Sequence, residues 1–120
     1  MRNLGASLRL FFSVFLLSGA AVAQGHRLTG AEIKTALSDQ TLQGTREDGK
    51  MWQQIFQKSG VTFYSVGAAQ TQGFWEVRGD QYCSQWPPSE SWACYDMTRD
   101  GELYSFISVT GQSSSGTLLN

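Results

Sequence analysis

From Thr41 onward the chain is cut by turn signals spaced by roughly ten residues: Asp48-Gly49, Ser59-Gly60, 67–72, Gly79-Asp80, Pro87-Pro88-Ser89 and Asp100-Gly101. That is the rhythm of an antiparallel meander. Aromatic and β-branched residues fill the runs between the breaks, as strands require. The spacing predicts strands near 41–46, 51–57, 61–66, 72–78, 81–86, 92–98 and 102–109. The Ser/Gly-rich stretch 111–116 reads as a loop, and 117–120 as either a tail or a last strand. One short helix precedes the meander. Thr29-Gly30-Ala31-Glu32 fits a capping box, with Ile33, Ala36 and Leu37 on one face and Leu28 placed to staple onto Ile33. Such a helix is marginal alone and must dock. The expected fold is therefore mainly β: a small antiparallel meander forming a barrel or half-barrel, with one short N-terminal helix. A two-sheet sandwich competes, but short sequential connections favour the barrel, which also leaves fewer open edges.

The first residues bear on compartment. Arg2 and Arg9 precede the apolar run 10–17, and Ala21-Val22-Ala23 supplies small residues for a signal peptidase. The apolar run is shorter than the roughly 20 residues that span a bilayer. The expected organisation is a signal peptide, 1–23, cleaved after Ala23, and a single β-rich domain, 24–120. The destination is the periplasm or the exterior, with no membrane insertion after cleavage. Without Arg2 and Arg9, seven basic residues face ten acidic ones. No basic run remains, which argues against a nucleic-acid partner.

Both cysteines flank a Trp-Pro-Pro loop in Tyr82-Cys83-Ser84-Gln85-Trp86-Pro87-Pro88-Ser89-Glu90-Ser91-Trp92-Ala93-Cys94-Tyr95. Strand alternation places Tyr82, Ser84 and Trp86 on one face, with Ala93, Tyr95 and Met97 on a shared face of the next strand. Cys83 and Cys94 take the opposite phase and become cross-strand neighbours. An oxidising compartment suits a disulfide between them. Closing a loop of this size stabilises by about 3 kcal/mol in the chain-entropy treatment. A metal site lacks further ligands, since His26 is the only histidine, and the spacing is far from a Cys-x-x-Cys redox pair. For the loop itself two readings stand. One is a stiff hairpin end with its tryptophans packed at the rim. The other is a presented recognition loop in which Trp86, Pro87, Pro88 and Trp92 contact a protein.

The segment Gly73-Phe74-Trp75-Glu76-Val77-Arg78-Gly79-Asp80-Gln81-Tyr82-Cys83, followed by Trp86, Cys94-Tyr95 and Arg99-Asp100-Gly101-Glu102, resembles a group of small, uncharacterised exported proteins of alphaproteobacteria. The opening Leu28-Thr29-Gly30-Ala31-Glu32-Ile33 is similar to the start of the same group. The likeness covers most of 24–120. It implies a compact β-rich periplasmic domain with a disulfide, and it brings no catalytic residues. A looser likeness in general plan is to periplasmic inhibitors of C-type lysozymes, whose inhibitory loop motif has no counterpart in these residues.

Few residues offer chemistry. His26 sits near the start of the expected domain, away from any nucleophile, and both cysteines are paired. Asp96, Asp100 and Glu102 suggest a carboxylate pair, yet Asp100-Gly101 reads more simply as a turn. The stretch 67–73 lacks the helix and lysine of a phosphate loop. The expectation is a non-catalytic binding or interaction module without metal or cofactor, its partner another envelope or extracellular protein, as inhibitor or accessory. The alternative starts from an aromatic surplus: Trp52, Phe56, Phe63, Tyr64, Phe74, Trp75, Tyr104 and Phe106 exceed what so small a barrel needs inside. Cross-strand pairing absorbs such residues. A lipocalin-like pocket for a small apolar ligand, lined by Trp75, Tyr82, Tyr95 and Met97, is the competing use.

Overall fold

The computed structural model describes residues 25–119. The expected signal peptide and its cleavage point lie outside the described residues. Chain order runs β1 (His26–Arg27), α1 (Gly30–Leu37), β2 (Gln40–Thr45), β3 (Met51–Phe56), β4 (Val61–Val66), β5 (Ala69–Arg78), β6 (Gln81–Gln85), β7 (Trp92–Asp100), β8 (Leu103–Ile107) and β9 (Ser113–Leu118). From β2 to β9 each strand pairs antiparallel with the next. β9 then returns to β2, with Leu42 opposite Leu118 and Gln43 opposite Thr117. Eight strands is an even number, so the first and last run in opposite directions and close the ring antiparallel. The result is a full up-and-down barrel with no sheet edge left open around the ring.

The closed ring bears out the barrel reading and removes the half-barrel and the sandwich. Three details differ from the sequence expectation. The helix is not the first described element, because β1 precedes it and extends the β7 edge beyond β6, with His26 opposite Arg99 and Arg27 opposite Thr98. β5 starts at Ala69, since the turn before it needs only Gly67 and Ala68. The stretch 111–116, read as a loop, supplies most of β9. Its serines and Gly116 show no apolar alternation because the indole of Trp52 already occupies the interior there. A Cβ on Gly116 would stand 3.0 Å from that ring, and one on Gly44 would strike it as well.

The helix forms where its cap directs. Thr29 Oγ1 accepts from Glu32 N–H at 3.2 Å, and Thr29 N–H donates to Glu32 Oε1 at 2.9 Å. Gly30 is buried against the β5–β6 turn. Its N–H donates to Asp80 Oδ1 at 2.7 Å, and a Cβ there would collide with the carbonyl of Gly79. Leu28, Ile33 and Leu37 are all buried in the core. α1 thus plugs the barrel end that carries the connections 57–60, 79–80 and 101–102. In an up-and-down barrel alternate connections share an end, so 46–50, 67–68, 86–91 and 108–112 ring the opposite, open mouth.

Strict alternation sets the interior. β3 is the clearest case: Trp52, Gln54 and Phe56 are buried while Met51, Gln53 and Ile55 are exposed. Phe56 anchors the lower core, edge-on to Trp75 and Tyr82 at 5.7 and 5.8 Å between centroids. Of the surplus aromatics, Phe63 and Phe74 take outward phases and the other six point inward. No helix of the described residues is long and apolar enough to cross a membrane.

Candidate functional site

At the open mouth the inward side chains do not fill the barrel. They leave a cavity of about 320 Å³, at the lower end of the size range of small-molecule sites. Its walls come from nearly every strand. β3 contributes Trp52 and Gln54, β4 Tyr64 and β5 Thr71. β6 contributes Tyr82 and Ser84, with Trp86 just beyond it. Tyr95, Phe106 and Ser114 complete the ring from β7, β8 and β9. None of these ten residues is charged. An ionised ligand would lose its hydration there without a partner of opposite sign, which is costly.

Glycines in mid-strand seat the two indoles. Trp52 rests against Gly44 and Gly116. Trp86 rests against Gly73, where a Cβ would come within 2.5 Å of the Trp86 ring and 2.6 Å of the Gln85 carbonyl oxygen. Tyr64 stands between the indoles, stacked on Trp52 at 5.9 Å and edge-on to Trp86 at 6.2 Å. Deeper in, Tyr82 meets Phe106 at 4.9 Å and Tyr95 at 6.1 Å.

A short polar network crosses the floor. Gln54 Nε2 donates to Thr62 Oγ1 at 3.0 Å and to Tyr82 Oη at 3.1 Å. Thr62 Oγ1 donates its one hydrogen to the Ile55 carbonyl at 2.7 Å, so it can only accept from Gln54. That fixes which way the amide faces. Trp86 Nε1 donates to Ser84 Oγ at 3.2 Å. Burial pushes the Tyr82 phenol well above its ordinary range, so it stays a neutral hydroxyl.

The sequence-derived residues distribute as follows. Tyr82 and Tyr95 line the cavity, whereas Trp75 and Met97 are buried among the core residues and do not line it. Cys83 and Cys94 are directly paired across β6 and β7, Cα to Cα 4.0 Å, and form a disulfide on the outer face of the barrel. Trp92 shares that outer face, under the guanidinium of Arg78 at 4.7 Å, while Trp86 points into the mouth. Pro87 and Pro88, joined by a cis peptide, are exposed at the rim. The four residues of the recognition-loop reading are thus not gathered on one surface. Asp96 lies on the outer wall, bound to Arg27 and Gln81 at 3.0 Å each. His26 is exposed, 3.4 Å from Glu32. Among the described residues no group of three potential metal ligands is assembled.

Sequence reasoning missed Gln54, Ser84, Thr71 and Ser114 as cavity residues and gave Trp86 another role. Two signals were available. One is Gln54 at an inward phase between Trp52 and Phe56. The other is the set of glycines at 44, 73 and 116, inside strands rather than at turns. Compared with family models, curated proteins and solved structures, the chain finds no match in any of the three.

Proposed function

We propose that the protein is a non-catalytic, exported binding barrel that holds a small, uncharged, largely apolar ligand in its open mouth. The observation that carries this reading is the aromatic cavity itself. It is lined by six aromatic rings and free of charged residues, and below it the core and α1 close the other end of the barrel. Those are the features of a preformed small-molecule site, where apolar walls supply affinity and a few polar groups fix orientation. The helix plug and the ring of loops give the barrel one way in. Export rests on the leader sequence and on the resemblance to small exported proteins. The disulfide is consistent with an oxidising compartment. Trp86 belongs to the cavity wall in this reading, and the exposed Pro87–Pro88 tip becomes part of the rim rather than a protein contact.

Native mass spectrometry of the protein taken from the compartment that exports it tests the reading. The expected result is a fraction carrying excess mass that is lost on denaturation. A bare chain under the same gentle conditions would contradict it.

A further inference from the structure

The cavity floor carries more information than apolarity. Gln54 is more than nine-tenths buried, at 8% exposure. Both hydrogens of its amide nitrogen are committed, one to Thr62 and one to Tyr82. Among the described residues nothing donates to its carbonyl oxygen. Leaving a buried acceptor unpaired costs about 1–3 kcal/mol. Whatever enters the cavity must therefore supply a hydrogen bond to Gln54 Oε1 or forfeit that energy.

A complementary donor stands beside it. Tyr82 Oη receives the Gln54 N–H, so its own hydrogen is not used in that contact. Ser84 Oγ receives the Trp86 indole N–H, so its hydrogen is likewise uncommitted. If these two hydroxyls bond to each other, one hydrogen still remains between them. Tyr82 Oη is 3.1 Å from the Gln54 amide nitrogen, so this donor stands next to the amide group that carries the free oxygen. Around them the walls are flat rings: Trp52, Tyr64, Trp86 and Phe106.

We infer that the ligand is a flat, uncharged ring carrying a hydrogen-bond donor directly next to an acceptor, the pattern of a cyclic amide, held edge-on by Gln54 and the Tyr82–Ser84 hydroxyls. This rests on the cavity being a ligand site. A volume of about 320 Å³ equals the share of about ten water molecules, which is room for a bicyclic ring.

The test is calorimetric titration of the 24–120 protein with three probes of nearly equal shape. Naphthalene has neither group, quinoline has an acceptor only, and 2-quinolinone has the N–H beside the carbonyl. The expected result is that 2-quinolinone binds at least about tenfold more tightly than the other two. Gln54→Met, which keeps the volume and removes the acceptor, should bring 2-quinolinone down to the level of quinoline, whose acceptor the Tyr82–Ser84 hydroxyls still serve, and should not weaken naphthalene, which uses neither group. Naphthalene binding then also reports that the variant is folded. If Gln54→Met does not fold, the comparison among probes on the unaltered protein decides alone. Equal binding of all three would overturn the donor–acceptor assignment while the apolar site stood. A preference for 2-quinolinone over quinoline that survives in Gln54→Met would overturn the role of Gln54. No binding of any probe would remove both the inference and the reading beneath it.

Discussion

Single residues carry the cavity's shape and its polarity. Gly73 is the plainest case, because it sits mid-strand with no turn to make, and the ring of Trp86 occupies the place of its side chain. Gly73→Ala is predicted to push Trp86 off the wall, since the Gln85 backbone on the other side cannot yield. Overpacking of this kind costs about 1–3 kcal/mol. Urea denaturation should show that loss, and tryptophan emission should shift toward that of an exposed indole. Tyr82 makes a separate prediction about pH. Its phenol is raised in the folded state by burial, with a smaller like-charge contribution from Tyr95. The unfolded chain releases this proton near the ordinary value of about 10, while the folded chain holds it to higher pH. Stability is therefore full below that pH and falls above it, by up to about 1.4 kcal/mol per pH unit. Tyr82→Phe should remove that slope from denaturation curves recorded between pH 9 and 11, although it lowers stability at neutral pH by orphaning a Gln54 N–H.

The helix is the element on which a one-mouthed barrel depends. Its start is specified three times over: by the Thr29–Glu32 box, by Leu28 in the core, and by Gly30 against the β5–β6 turn. The three are not equal. Thr29→Ala should cost about 1 kcal/mol, the usual worth of an N-cap. Gly30→Ala should cost more, because the Cβ meets the backbone carbonyl of Gly79 in the β5–β6 turn. Thermal melts of the two variants should rank in that order. The disulfide, in contrast, braces β6 and β7 from outside. It explains the cysteines on either side of the loop without giving them any part in the cavity.

At the scale of the molecule, much of the fold was legible because it rests on short-range patterns. Turn chemistry at Gly49, Gly60, Gly79 and Gly101, each with positive φ, marked four of the strand breaks. Alternation in β6 and β7 fixed the faces of Tyr82, Tyr95 and the cysteines. What was not legible depends on contacts across the ring. β9 looks like a loop until Trp52, 64 residues before Gly116, is seen filling the space above that glycine. The cavity was partly anticipated in its tyrosines and misplaced in Trp75 and Met97. Phase alone tells inside from outside, but not which level of the barrel the helix plug fills. Trp86 and Trp92 look like a pair in sequence. The five residues between them reverse the chain, and the two end on opposite faces of the wall.

The four tryptophans make one measurement decisive. Each indole N–H gives its own signal in a ¹H–¹⁵N spectrum, and the four occupy distinct places. Trp52 and Trp86 line the mouth. Trp75 is buried with its N–H bonded to the Gln57 carbonyl at 2.8 Å, and Trp92 lies on the outer wall. Titration with 2-quinolinone should move the Trp52 and Trp86 signals together, saturably, and leave Trp75 and Trp92 in place. Movement of Trp92 without Trp86, or no movement of any of the four, would contradict a ligand site in the barrel mouth.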